Sequence, residues 1–228
     1  MEVTLINKEE CKDFFKRWGE FSCMCYNTDK KYAEKVGKSC LKSGHFSGSR
    51  SFNFVFEVKG VSRRCSHQVV RHSVGVTVNQ KSQRYCNETD FKYVIPPSIE
   101  KDAKAKKFYI ECMNEINLMH SLLRKGLEET LDGEELNQDV RYILPNACVT
   151  EFTIGFTLEA LIHFCNERMC TAAQWEIREL ANAMSKEVTK VLPELKEYLD
   201  SKCVRLGYCP ESPSRCCGKR KNKENIIR

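Results

Sequence analysis

Phe52 to Val58 reads F-N-F-V-F-E-V, with Phe52, Phe54, Phe56 and Val58 on one side of a period-two alternation and Asn53, Val55 and Glu57 on the other. That spacing predicts a β-strand with an aromatic face turned to a core. A second alternation, Phe152, Ile154 and Phe156, runs directly into a helical pattern that continues through Arg168. Other helical stretches are Lys8 to Trp18, Thr28 to Ser43 (opened by Thr28-Asp29 and closed by Gly44), and Cys65 to His72. Asp102 to Lys125 carries Phe108, Cys112, Ile116, Met119 and Leu123 on one predicted face, and Ala172 to Val191 repeats Ile177, Leu180, Met184, Val188 and Val191. Helices flanking an antiparallel sheet make an α+β class.

The chain has 228 residues, a length that suits one globular domain. We place that domain at residues 1–200 and read 201–228 as a Cys-rich, basic tail. Hydrophobic residues make up 41% and charged residues 30%, which excludes a disordered chain. The N-terminal M-E-V-T-L-I-N-K-E-E has no apolar core and no later run approaches a membrane span, so a cytoplasmic protein without a membrane partner is expected. Part of the formal charge of +6 sits at Lys219 to Lys223, which reads as a solvated end and not a nucleic-acid patch. The aromatic residues stand in core-like alternation instead of interleaving with basic ones, which argues against nucleic acid as partner. The remaining basic surplus suits nucleotides and other small phosphorylated or polyglutamylated molecules. Fourteen cysteines without a secretion signal imply reduced thiols. Cys23 and Cys25 read as packing residues on a short extended segment. Cys203, Cys209, Cys216 and Cys217 lack the paired C-x-x-C spacing of common zinc sites, so free thiols are expected and no metal.

Chemistry concentrates in Arg71 to Tyr85, R-H-S-V-G-V-T-V-N-Q-K-S-Q-R-Y. Arginine offers a rigid fork of donors that matches phosphate, and Gln80, Ser82 and Gln83 supply neutral donors and acceptors. V-G-V-T-V reads as a strand, and the N-Q-K-S-Q-R that follows is too polar to continue a core strand and reads as a loop.

R-H, a spacer and S-x-R-Y, preceded by H-Q-V-V and followed by Y-V-I-P-P-S-I at Tyr93 to Ile99, resembles the signature of flavin-dependent thymidylate synthases. H-F-x-N-x-R at His163 to Arg168, Q-W-E-I-R at Gln174 to Arg178, and Arg141 in V-R-Y-I-L-P-N-A are similar to further motifs of that family, in the same order. The resemblance runs from about Phe21 to Leu192. It implies the family's α+β fold and the activity of a methyltransferase, the reductive methylation of dUMP to dTMP. The cofactor implied is FAD, with methylenetetrahydrofolate and NADPH as co-substrates, in a homotetramer with active sites at subunit interfaces.

Carried over by resemblance, Arg168 is the catalytic residue, a fixed cation for the enolate that activates uracil C5. The dUMP site comprises Gln68, Arg71, Gln80, Lys81, Ser82, Gln83, Arg84, Arg141 and Arg168. The FAD site comprises His45 and Ser47 in G-H-F-S, with Arg71, His72, Ser73, Gln80 and His163. His67 and His120 lack motif context and are read as structural. The chain contains no Pro-Cys dipeptide, the nucleophile motif of the cysteine-dependent enzymes. Ser73 stands where the family has a second arginine, one residue is added before Ser82, and Thr157, Leu158 and Glu159 replace the family's N-x-R. Arg50, Arg63 and Arg64 are candidates to replace the missing cations. A flavin- and folate-dependent dUMP hydroxymethylase and a noncatalytic nucleotide-binding paralogue are the alternatives.

Overall fold

The computed structural model describes residues 1–226; the last two residues of the tail lie outside the described residues. In chain order the elements are β1 (Glu2–Leu5), α1 (Lys8–Lys12), α2 (Phe14–Tyr26), α3 (Ala33–Ser43), β2 (Phe54–Ser62), α4 (Arg63–Val69) and β3 (Val76–Gln80). They continue with α5 (Pro97–Glu100), α6 (Ala103–Leu127), α7 (Gly133–Val140), β4 (Val149–Phe156), α8 (Leu158–Arg168), α9 (Trp175–Val191) and α10 (Lys202–Leu206). The strands form an antiparallel sheet in the order β1-β2-β4-β3, so the class is α+β. The chain divides into two compact units, one of residues 1–58, 69–78 and 153–228, the other of residues 59–68 and 79–152.

The core of the first unit follows from the aromatic alternation. Phe52, Phe54 and Phe56 are buried, and Phe14 of α2 meets Phe52 and Phe54 with ring centroids 5.4 and 5.1 Å apart. Phe56 touches Phe156 of β4, which touches Phe164 of α8. Each such ring contributes about 1.5–3 kcal/mol by leaving water. α8 is thereby fixed to the sheet by its apolar face. Gln174 caps α9 by accepting from the Glu176 and Ile177 amides, and Ile177, Leu180, Met184 and Val188 are buried as their spacing predicts. Where α2 passes α3, a Cβ on Gly19 would stand 1.6 Å from the Ala33 carbonyl oxygen, and one on Gly37 would stand 2.0 Å from that of Phe15.

In the second unit Met113 of α6 packs with Phe91 and Cys148, joined by Tyr93 and by Tyr109, Cys112 and Ile116 of the same helix. Asp102 caps α6 through the Lys104 and Ala105 amides.

Three expectations are corrected. Of the face predicted for α6, only Cys112 and Ile116 pack; Phe108, Met119 and Leu123 are exposed, because the helix carries apolar residues on two faces and buries the one with Met113 and His120. Cys23 and Cys25 lie in helix α2, where Cys23 is buried and Cys25 exposed. The strand of the signature begins at Val76 and takes in Asn79 and Gln80. It is one of the two edge strands, and side chains exposed on an edge do not need to be apolar.

Candidate active site

In the first unit, β3 is entered through Gly75, whose φ of +69° is open to glycine and strained for other residues. A Cβ there would lie 2.5 Å from Thr157 Oγ1, so the approach of this turn to the start of α8 requires glycine. Thr157 caps α8 by accepting from the Ala160 amide at 3.4 Å. A cavity of ≈ 570 Å³ opens beside this turn and is lined by Arg50, Arg71, His72, Ser73, Glu159 and His163 among others. Glu159 takes both its oxygens to Arg50, at 2.5 Å from Nε and 3.2 Å from Nη2. Of the three replacement cations proposed from sequence, Arg50 is thus at this cavity, with its charge matched by Glu159. Arg71 forms no ion pair among the described residues and brings a net positive charge to the cavity.

One turn beyond His163, the last residue of α8 is tied back to the signature. Arg168 Nε donates to His72 Nε2 at 2.9 Å. The His72 ring meets Phe164 edge-on at 5.0 Å and His163 at 5.8 Å. Burial, the Arg168 guanidinium and His163 push the His72 imidazole down to about 4, so it is neutral at physiological pH and Nε2 is an acceptor. No carboxylate pairs with Arg168 among the described residues; its neighbour Glu167 is bonded to Lys202 at 3.0 Å.

His45 and Ser47 line a separate, smaller cavity of ≈ 270 Å³ with Tyr26, whose hydroxyl is 3.0 Å from His45 Nδ1.

The second unit holds Gln68, Gln80 to Arg84, and Arg141. Gln80 Nε2 donates to Ser66 Oγ at 2.9 Å and Thr150 Oγ1 at 3.0 Å, which fixes the end of β3. Ser82 Oγ accepts from the Arg84 amide at 3.2 Å, and Gln83 Nε2 reaches Cys148 Sγ at 3.7 Å. Lys81 pairs with Glu88, and Arg84 with Glu134, both at 3.2 Å. Arg63 donates from Nη1 to the Lys81 carbonyl at 3.4 Å. Burial pushes its guanidinium below the ordinary arginine value, and Arg141 acts in the same direction. Two cations, Arg63 and Arg141, therefore face the same neighbourhood, a setting suited to an anion. The partners Glu88 and Glu134 were not found by sequence reasoning, and no local signal marks them. Of the predicted dUMP residues, Arg71 and Arg168 belong to the first unit and the other seven to the second.

A family model described as thymidylate synthase complementing protein matches residues 9–194. A flavin-dependent thymidylate synthase of Nitratidesulfovibrio vulgaris is 40% identical over 79% of this chain and 74% of its own length. Proteins of the same name from Clostridium tetani and Pyrococcus furiosus are 38% and 34% identical, over 85% and 90% of this chain and 81% and 86% of their own. The chain belongs to the flavin-dependent thymidylate synthase family. The matched span contains Arg71, His72, Arg141 and Arg168 and stops short of the Cys-rich tail. Beyond the span matched to the family, the tail grips the end of α8: Arg205 Nε donates to Asn166 Oδ1 and Lys202 to Glu167, each at 3.0 Å.

Proposed function

We propose that the chain converts dUMP to dTMP by reductive methylation at C5, with methylenetetrahydrofolate as carbon donor and NADPH as reductant through FAD. The observation that carries this reading is the Arg168–His72 contact in a member of this family. Uracil C5 is a poor nucleophile until the ring takes on enolate character, which places negative charge beside the N3 edge. A guanidinium keeps its charge at every physiological pH and stabilises that charge as it develops. His72 fixes the plane of Arg168 through Nε and, being neutral, leaves the cation uncancelled.

Arg84 and Arg141 are the proposed phosphate ligands of dUMP, with Gln68, Arg71, Gln80, Lys81, Ser82 and Gln83 as the other proposed members of its site. The net positive cavity at the N-terminus of α8 fits the pyrophosphate of FAD, with Arg71, His72, Ser73 and His163 as its proposed holders, joined by Gln80, His45 and Ser47. FAD, when bound and reduced by NADPH, would supply the hydride. Cys148 and Cys165 are unsuited as nucleophiles: burial pushes the Cys148 thiol up to about 11 and also raises that of Cys165, so neither offers a thiolate at neutral pH.

We also infer a cytoplasmic homotetramer with active sites at subunit interfaces. The exposed apolar residues of α6, Phe108, Leu118, Met119, Leu122 and Leu123, support an interface between copies. No described helix is long and apolar enough to cross a membrane.

The test is incubation with dUMP, methylenetetrahydrofolate, FAD and NADPH, followed by product mass spectrometry. The expected mass is that of dTMP. A hydroxymethylated product assigns the hydroxymethylase instead, and protein that retains no flavin in the presence of dUMP is a noncatalytic nucleotide binder.

A further inference from the structure

Arg168 is the final residue of α8, and its placement depends on a turn that helices hold poorly. The carbonyls of a helix's last four residues have no intrahelical amide to meet them, so such a turn frays unless something outside the helix grips it. One grip is Arg168 itself, whose Nε donates to His72. A single bond from a long side chain fixes a guanidinium only if the backbone beneath it stays in place.

Asn166 supplies the second grip. At 100° per residue it stands about 200° around the helix from Arg168, on the opposite face. Its side chain is buried and both polar atoms are bonded: Nδ2 donates to the Ile162 carbonyl at 2.5 Å and the Tyr198 carbonyl at 3.4 Å, and Oδ1 accepts from Arg205 Nε at 3.0 Å. The Tyr198 hydroxyl donates to the Leu41 carbonyl at 3.2 Å. Beside it Leu195 and Leu199 are buried, and the Leu199 carbonyl accepts from Ser185 Oγ at 2.6 Å. The chain after α9 is thus anchored in the core as far as Ser201. α10 starts there, with the Val204 and Arg205 amides both returning to the Ser201 carbonyl, and it delivers Arg205 to Asn166.

The neighbouring contact of Lys202 with Glu167 joins side chains that are 41% and 37% exposed, and such pairs contribute little in water. Arg205 ends instead on a buried amide oxygen, which would be stranded out of water without its donor. Of the two contacts, this is the one able to hold a backbone.

We propose that Arg205, from outside the span 9–194 matched to the family, is a positioning residue for Arg168, holding the last turn of α8 through Asn166 so that the guanidinium stays on His72. The inference rests on the reading of Arg168 as the cation that stabilises the enolate.

The experiment replaces Arg205 by Met and by Gln in the full chain. Met keeps an apolar stem and removes the donor; Gln places an N–H donor the same number of bonds from the backbone as arginine Nε, without the charge. Arg205→Met is expected to lower kcat about tenfold with KM for dUMP unchanged, and Arg205→Gln to bring kcat back to within about twofold of the wild type. A second readout needs no turnover. Burial, Arg168 and His163 hold the His72 imidazole down to about 4, and Glu167 acts the other way. As the Arg168 cation moves off, the imidazolium becomes easier to form. NMR titration of His72 is therefore expected to show its pKa displaced upward in Arg205→Met and returned in Arg205→Gln. Arg205 is exposed, so neither change disturbs the core, and the shifted His72 signal comes from folded molecules only.

If the wild type methylates dUMP and Arg205→Met leaves both kcat and His72 unmoved, the positioning role is overturned while the reading of Arg168 stands. An Arg205→Gln protein that behaves like Arg205→Met overturns it as well. If the wild type makes no dTMP and His72 still moves as expected, the reading of Arg168 fails and the positioning role is upheld.

Discussion

The two ends of α8 treat charge in opposite ways. Glu159 lies in its first turn and Arg168 at its last residue, each where the helix dipole favours its sign. At the first end Glu159 is matched by Arg50, on a surface open to water. At the other end Arg168 keeps its charge, because its partner is a half-buried imidazole held neutral by burial and by Arg168 itself. An ion pair at the first end costs the helix nothing and gives up a cation; a neutral acceptor at the second orients a cation and preserves it. Catalysis of charge development needs the second arrangement.

The contrast breaks most visibly at Arg168. Arg168→Ala is expected to lower kcat by roughly 10²–10³-fold, about 3–4 kcal/mol, while equilibrium binding shows dUMP still captured through its phosphate. Arg168→Lys should fail to restore the rate, since an ammonium cannot donate to His72 and the ring from one rigid plane. Near-normal turnover in either variant removes the proposed role.

Gly75→Ala tests the opposite end by sterics. A positive φ and a Cβ 2.5 Å from Thr157 Oγ1 are expected to cost about 1–3 kcal/mol, read as a lower urea midpoint.

His72→Phe sharpens the comparison through pH. The imidazole titrates at 6.5 unfolded and at about 4 folded, so the unfolded chain binds the proton more readily between these values. The contribution of neutral His72 is fully present above about 6.5 and is lost as pH falls toward 4. Unfolding midpoints of the variant should fall less steeply over that window than those of the wild type. Its kcat should drop about tenfold through loss of the Arg168 anchor, with dUMP affinity little changed.

The smallest effect belongs to Arg50→Ala. Exposed pairs contribute little to stability, so the unfolding midpoint should not move. Flavin affinity, read by fluorescence titration, should weaken by about tenfold or less at low salt because Glu159 is left unmatched at the cavity. Glu159→Gln in the same background should recover it.

Sequence made the strands legible wherever burial imposed a period of two, as at Phe52 to Val58. It misled on α6, where apolar residues on two faces allow two stripes and only packing selects the one with Met113. Polarity was a poor guide at Asn79 and Gln80, because an edge strand does not ask for apolar side chains. In the candidate site, motif spacing pointed to Arg168 and His72, each by its own motif. The ion partners were illegible: Glu159 and Arg50, or Arg84 and Glu134, lie far apart in the chain, and no periodicity links a charge to a distant counter-charge.

The crossing of α2 and α3 has a consequence for how the chain reaches its native state. Gly19 and Gly37 let two backbones touch across a short connection, so this hairpin closes at small entropic cost and without help from the rest of the molecule. β2 must find β4 across most of the second unit, a far longer search. The helical hairpin is therefore expected to form before the sheet, so that a side chain at either glycine slows refolding in stopped-flow experiments as well as weakening the native state.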